Sequence, residues 1–511
     1  MSVVVNSTLN DSLRDYWQQT PLSYLVVAGA AVLLSLSTAF KFPFSGDSKI
    51  YYPPGLQIVH AWKFFTKRYD FLNDTFRQTH KKFFEFYVNQ YRVVAIRGEN
   101  QRKIFYTEKT LSMFQGHQFL VGAAPSLKDI NVMEDRSEDF HAAFFKRLLV
   151  VQHKDRVTTM IPALFGHIDR HFKALGREGS FDPFKETHDI IFEMTARLAA
   201  CRELAEDKQA IRKLIDIYLD LEHGVTAGSI LFPWFPSPSR KAKANATAAL
   251  YGFLNSYVEL RRKDPVTSTD TIDVFIAEGC NNPTIVAVIM NIVFAGVINT
   301  GVNVSWALVH LGFNPEWKEK VIVELKSLFA EHAISHATDP LHIQLSSIPL
   351  NAWETKTPVL EGVIRETLRL TMTDAPSRRI MSDELVLDGV VVKKGQFITY
   401  SQAEVHLNPA IYPKPYTFDP DRYRRGREED KKEAFCYLAW GAGRHPCAGI
   451  KLAKLEMKMV LAMLLLGYDY HVVDENGNYP ASAPRVDRND CHQPRPITQD
   501  RVYIEFKRVV E

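Results

Sequence analysis

Of the five cysteines in this chain, Cys447 sits where its neighbours favour chemistry over packing: Trp440-Gly441-Ala442-Gly443-Arg444-His445-Pro446-Cys447-Ala448-Gly449, followed by an apolar helical pattern over 450–466. Glycines at 441 and 443 let the backbone turn sharply and approach a flat cofactor, and Pro446 fixes one φ. Gly449 opens a helix whose first N–H groups favour an anion. A Cys447 thiolate is such an anion and a ligand for iron, with nearby amides tuning the sulfur. The competing reading, a small buried hydrophobe, is the commoner fate of a free cysteine. The spacing around Cys447 decides against it.

That spacing, Gly-x-Gly-x-x-x-Cys-x-Gly, resembles the haem-binding loop of the cytochrome P450 superfamily, usually Phe-Gly-x-Gly-x-Arg-x-Cys-x-Gly. Trp440 stands where Phe is usual and His445 where Arg is usual. Trp is a larger aromatic for the same proximal wall, and His445 can still donate to a haem propionate. The resemblance, which covers about residues 50–510, implies haem b (iron protoporphyrin IX) with Cys447 as axial iron ligand. Trp440, Gly441, Gly443, His445 and Gly449 would surround it.

A second stretch must face the first. Asn282-Pro283 reads as an N-cap and first helical residue, opening an uncharged run over 284–312. Its length would permit a membrane span, but Asn291, Asn299, Thr300, Asn303, Ser305 and His310 would be costly in lipid, whereas a helix apolar on most faces suits a large core. It resembles the helix that crosses the haem in this family. Ala295-Gly296-Val297-Ile298-Asn299-Thr300 occupies the place where an acid and an alcohol relay protons to dioxygen, yet Ile298 replaces the acid and Asn299 the first threonine. Gly296, Asn299 and Thr300 are the catalytic candidates: a missing side chain where oxygen and substrate sit, an amide able to order a water, and the one alcohol retained.

The remaining motifs position these. Glu366 and Arg369, three apart on a helix predicted over 359–370, share a face. Arg422 in Phe418-Asp419-Pro420-Asp421-Arg422-Tyr423 resembles the family's third member of a buried Glu–Arg–Arg network that locks the cysteine loop. Arg379, after Pro376-Ser377-Arg378, best matches a propionate ligand, with Arg378 its rival. Arg147 is a further propionate candidate beside Lys146, although the residues four before Lys146 and Arg147 are Ala142 and Ala143 rather than Trp or His. In the family the region matching the aperiodic segment 113–129 is a mobile loop over the distal haem face, so the resemblance implies Phe114 and Phe119 at the substrate. Helical patterns are expected over 137–171, 187–205 and 209–221, a hairpin over 83–96, another around Asp388-Gly389, and a last β region at 468–473 and 502–506.

The bulk composition limits the function. There are 62 basic and 59 acidic side chains, a net charge of +3, so nucleic acid is not the expected partner. Cysteines at 201, 280, 436, 447 and 491 contain no CxxC pair or zinc spacing, which fits a reducing cytosol. Residues 21–40 carry no charge over the length a bilayer needs. They read as a single-pass signal anchor, with Lys41 and Lys49 placing the chain beyond on the cytosolic side. This divides the chain into a lumenal tail (1–20) with sequons at Asn6 and Asn10, the anchor (21–40), a Pro/Gly-rich linker (41–55) and a catalytic domain (56–511). The aromatic, proline-rich loop 231–238 is suited to a bilayer interface.

The expected protein is therefore mainly α with a small β region, a cytochrome P450 fold behind one transmembrane helix in the endoplasmic reticulum membrane. The resemblance implies a monooxygenase that takes electrons from NADPH through a cytochrome reductase and inserts one atom of O2 into a lipophilic molecule, such as a terpenoid, sterol or polyketide of secondary metabolism. Lys431, Lys432, Lys451, Lys454 and Lys458 are the expected reductase-facing cations. Two rivals stand beside it: a reductase-independent haem-thiolate isomerase or dehydratase, and a silent haem sensor.

Overall fold

The computed structural model describes residues 48–120 and 138–510, apart from 225, 233, 266, 267, 337, 491 and 492, with backbone alone at 138–143. The expected tail, anchor and sequons, and residues 41–47 of the linker, lie outside the described residues.

The molecule is built around the uninterrupted helix Asn282–Phe313, here the central helix. Asn281, not Asn282, caps it: the Asn281 side chain accepts from the Thr284 N–H, and Pro283 sits in the first turn. Asn282 is instead bonded to Asn255 and Arg262 across the neighbouring helix. Among the described residues this is the one helix long and apolar enough to cross a membrane, and most of it is buried inside the protein. It packs on the helices Pro183–Ala199, Pro358–Thr371 and Ile450–Gly467. Small residues allow the first of these contacts: a Cβ on Gly301 would come within 3.2 Å of His188 Cα. Thr187 Oγ1 donates to Gly301 O at 3.1 Å and lies 2.6 Å from Ser305 Oγ, so the polar groups of this interface satisfy one another. The main core gathers Trp306, Trp353, Phe165 and the cysteine helix Ile450–Gly467.

The β part is small and segregated to the edges. A six-stranded sheet runs, in spatial order, Ile50–Tyr51, Phe83–Val88, Tyr91–Ile96, Phe397–Tyr400, Ser377–Ile380 and Leu111–Ser112. The expected hairpin 83–96 is there, turning at Asn89 (φ 51°), as is Glu384–Leu387 with Val390–Lys393, turning at Asp388 and Gly389 with positive φ. Tyr468–Val473 pairs with Tyr503–Arg508, and Glu178–Phe181 adds a third strand.

Three sequence expectations are corrected. The helical stretch 137–171 is two helices, Glu138–Val151 and Lys154–Ala174, and 187–205 is Pro183–Ala199 followed by Arg202–Glu206. Residues 113–120, expected as an irregular loop, form the helix Met113–Leu120. Gly116 explains its close docking: a Cβ there would lie 2.0 Å from Ser377 O, so only glycine lets the helix rest on that strand.

Candidate active site around Cys447

The cysteine loop is a tight hairpin. Gly441 and Ala442 pair with Pro446 and His445, so the chain reverses through Gly443 and Arg444. Gly443 has φ 60°, and a Cβ there would be 2.1 Å from Tyr106 O, while the Arg444 N–H donates to that carbonyl at 3.1 Å. Gly441 (φ 67°) is equally constrained, its added Cβ falling 2.5 Å from His445 O. The hairpin thus needs glycine at both positions, for backbone angle and for space. Past it, the Cys447 N–H donates to Trp440 O at 2.6 Å, and Gly449 forms the helix N-cap.

Cys447 faces a cavity of about 340 Å³. Trp440, Ala448 and Gly449 share its wall, and Gly296, Asn299 and Thr300 of the central helix face them. Phe144, Phe145 and Leu148 close one side, Leu368 and Met372 another. Burial pushes the Cys447 thiol up and the Gly449 amide pulls it down; a bound metal ion deprotonates such a thiol outright. Asn299 donates its amide N–H to Ala295 O at 3.1 Å, which leaves its carbonyl oxygen for the cavity. No described residue bonds the Thr300 hydroxyl. A Cβ on Gly296 would touch Thr195 at an ordinary 3.5 Å, so glycine here widens the cavity rather than relieving a clash.

The loop is held from behind by a fully bonded ion network. Glu366 receives Arg369 Nε and Nη2 at 2.8 and 2.7 Å and Arg422 Nε at 2.9 Å, all three side chains being buried. The Tyr423 hydroxyl and the Asp419 N–H complete the carboxylate. Arg422 spends its other donors on Glu429 and three loop carbonyls. Arg369 Nη1 reaches His406 O at 2.6 Å, and His406 carries the link onward: its Nδ1 bonds Met372 O at 2.8 Å while Nε2 accepts the Leu438 N–H at 2.9 Å. These two bonds assign a neutral ring protonated at Nδ1. Leu438 O in turn takes the Gly441 N–H, so the network ends in the hairpin that presents Cys447.

The two arginines at 378 and 379 divide. Neighbours on a strand point to opposite faces, and it is Arg378 that lies beside Phe105, Tyr106 and His445. Arg379 is turned to a different cavity, bonded to Gly395 O and Gln115, so the residue assigned to a propionate from sequence is on the wrong face for it. Arg378 is 6 % exposed, its Nε has no partner and no described carboxylate pairs with it; burial lowers its pKa to about 10. A buried cation lacking a counter-anion beside the cysteine loop fits a cofactor with acidic edge groups. With an accessible sulfur on one wall and apolar sides, the residues present fit haem. Arg147 lies beside the wall-forming Phe144 and Leu148 but does not itself line the cavity, and Phe114 and Phe119 line the second cavity instead.

One cavity residue escaped the sequence reading. Glu456, on the cysteine helix, is 3 % exposed, and burial pushes its carboxyl up to about 8 against a small pull from the nearby Thr195 hydroxyl. The two are close without hydrogen-bonding alignment: Glu456 Oε1, Thr195 Oγ1 and Gln152 Nε2 are buried, unpartnered and all on this cavity. Such a trio suits a bridging water. Glu456 is the sole acid in the helix Ile450–Gly467, which was the available signal. Of the five lysines expected to face a reductase, Lys431 pairs with Glu428, Lys454 with Glu361, Lys432 with Ile411 O and Lys458 with Trp353 O. Lys451 alone has no described partner.

Comparison with known proteins agrees with this geometry. The family model for cytochrome P450 matches residues 52–484. The chain belongs to the cytochrome P450 family. This P450 is 28 % identical over 465 residues to cytochrome P450 monooxygenase AacuE of Aspergillus aculeatus, covering 89 % of this chain and 92 % of that one. It is 28 % identical over 414 residues to cytochrome P450 monooxygenase nsrP of Aspergillus novofumigatus, covering 79 % of each. Retinoic acid bound cyanobacterial CYP120A1 shares the fold, with a TM-score of 0.69 at 18 % identity over 88 % of this chain and 97 % of that one. The P450 is accordingly a haem-dependent monooxygenase, an oxidoreductase.

Proposed function

We propose that this P450 inserts one atom of O2 into a lipophilic small molecule, such as a terpenoid, sterol or polyketide of secondary metabolism, using electrons that pass from NADPH through a cytochrome reductase. The observation that carries the reading is the Cys447 sulfur, presented by a glycine-shaped hairpin across a cavity from Gly296, Asn299 and Thr300. Cys447 Sγ would hold the iron of haem b. Bound in this way, haem supplies the electron-rich centre at which dioxygen is split and one oxygen atom is transferred.

The chain's own residues do the rest. Arg378 and His445 would hold an acidic edge of the cofactor through charge-assisted hydrogen bonds, the role Arg379 cannot fill from its face. Trp440 forms the wall beside the sulfur. Phe144, Phe145 and Leu148 exclude water and meet the apolar part of the substrate. Protons come from Glu456, neutral at pH 7 in its buried site. A water bridging its carboxyl, the Thr195 hydroxyl and Gln152 Nε2 would carry the proton toward the space beside Gly296, where Thr300 Oγ1 and Asn299 Oδ1 would accept its hydrogen bond. This route does the work of the acid that Ile298 replaces.

Residues 21–40 anchor the protein in the endoplasmic reticulum membrane with domain 56–511 in the cytosol, and the apolar rim meets lipid. Trp234 and Phe235, 61 % and 52 % exposed, follow the helix Ala227–Leu231, which packs on Gln57–Thr66, where Val59 and Trp62 are also exposed. Incubation with reductase, NADPH and isotopically heavy O2 tests the reaction: one heavy oxygen atom should enter the product. Turnover that proceeds without NADPH and O2 would instead identify an isomerase or dehydratase.

A further inference from the structure

Arg379 occupies a cavity of about 460 Å³ that shares no lining residue with the one at Cys447. That volume lies within the range of roughly 300–1,000 Å³ typical of small-molecule pockets. One wall is aromatic. Phe119 and Phe397 stack with centroids 4.2 Å apart and planes 18° apart, and Tyr91 meets them edge-on at 6.1 and 5.3 Å.

The guanidinium is fixed at the edge of this wall. It lies 5.5 Å from the Tyr91 and Phe397 ring centroids, its Nε donates to Gly395 O at 3.1 Å, and its Nη1 donates to Gln115 Oε1 at 2.9 Å. Gly395, whose carbonyl takes the Nε bond, has φ 80°, a backbone angle that favours glycine. An arginine carries five N–H donors; with two engaged, three remain, and among the described residues no carboxylate pairs with them. Gln115, its oxygen held by Arg379, retains its NH2 donors, and Gln118 adds another amide to the lining. A preorganised fork beside stacked rings matches an oxygen anion carried on a flat ring system. A neutral hydrocarbon would leave the fork without an acceptor.

The geometry points to a second ligand site on this P450, one that takes a planar aromatic acid with its rings against Phe119 and Tyr91, which the buried Phe397 backs, and its anionic oxygen on the remaining N–H groups of Arg379. The site requires neither Cys447 nor haem, so it stands or falls separately from the reaction proposed above.

Equilibrium binding of fluorescent naphthoate to the haem-loaded full chain tests it, with uncharged naphthamide as the control. Naphthoate should bind at least about tenfold more tightly than the amide, the worth of one charge-assisted bond. R379Q should abolish that preference, and R379K, which keeps the charge without the fork, should reduce it. R379K serves as the variant where R379Q does not fold. Saturating the haem iron with imidazole should leave naphthoate affinity unchanged. Equal binding of acid and amide, a preference that survives in both variants, or displacement of naphthoate by imidazole would each overturn the assignment.

Discussion

Arg378 carries a buried charge for which the described chain supplies no carboxylate, and its neighbour Arg379 presents a half-buried one to a different cavity. The pair gives a sharp test. R378Q should weaken haem retention about tenfold or more, the scale of one charge-assisted hydrogen bond, and R379Q should leave the haem content of the purified protein unchanged. Equal losses in both variants would contradict the division between faces. Glu456 gives a second test, in stability against pH. Its pKa is raised from 4.5 to about 8 by burial, so between those values the folded state binds more protons than the unfolded state and stability falls as pH rises. E456Q lacks this effect. Its unfolding free energy should match the wild type near pH 4 and exceed it increasingly toward pH 8, the gap growing by about 1.4 kcal/mol per pH unit across the window; a gap independent of pH would contradict the buried acid. Sequence alone could not divide Arg378 from Arg379, because strand register sets the faces and a one-residue slip exchanges them.

Among the elements, the one most exposed to a single change is the link between the helix Pro358–Thr371 and the cysteine hairpin. Glu366 balances two buried guanidiniums, so E366Q keeps the volume and leaves two cations facing a neutral amide. The denaturation midpoint should drop by an amount equivalent to about 3–5 kcal/mol, with loss of haem. Unchanged stability would mean that the network is incidental. The Glu366, Arg369 and Arg422 positions were readable because motif spacing survives in a linear string. His406, which joins them to Leu438, was not: its partners lie 34 and 32 residues away, and nothing local marks it. The helix Met113–Leu120 was missed for a related reason. Its stability comes from Gly116 lying against Ser377, a tertiary contact that overrides a weak local pattern. The break between Val151 and Lys154 was hidden because apolar spacing continues across it.

At the scale of the molecule, the fold class was implied by the resemblance of the Cys447 loop to the cytochrome P450 family, and the place of the central helix followed from its own residues. The uncharged run 284–312 had to be either a membrane span or the centre of a large core, and its polar residues favoured the core, where the structure places it. The sheet order was beyond reach, since Tyr91–Ile96 pairs with Phe397–Tyr400 across some three hundred residues and Glu178–Phe181 joins strands near the C-terminus. All these elements converge on one sulfur facing one cavity. The measurement that tests this most directly is the absorbance of the reduced carbon-monoxide adduct of purified wild type and C447S. The red-shifted band characteristic of thiolate ligation should be present in the wild type and absent from C447S. Its persistence in C447S would show that another residue holds the iron.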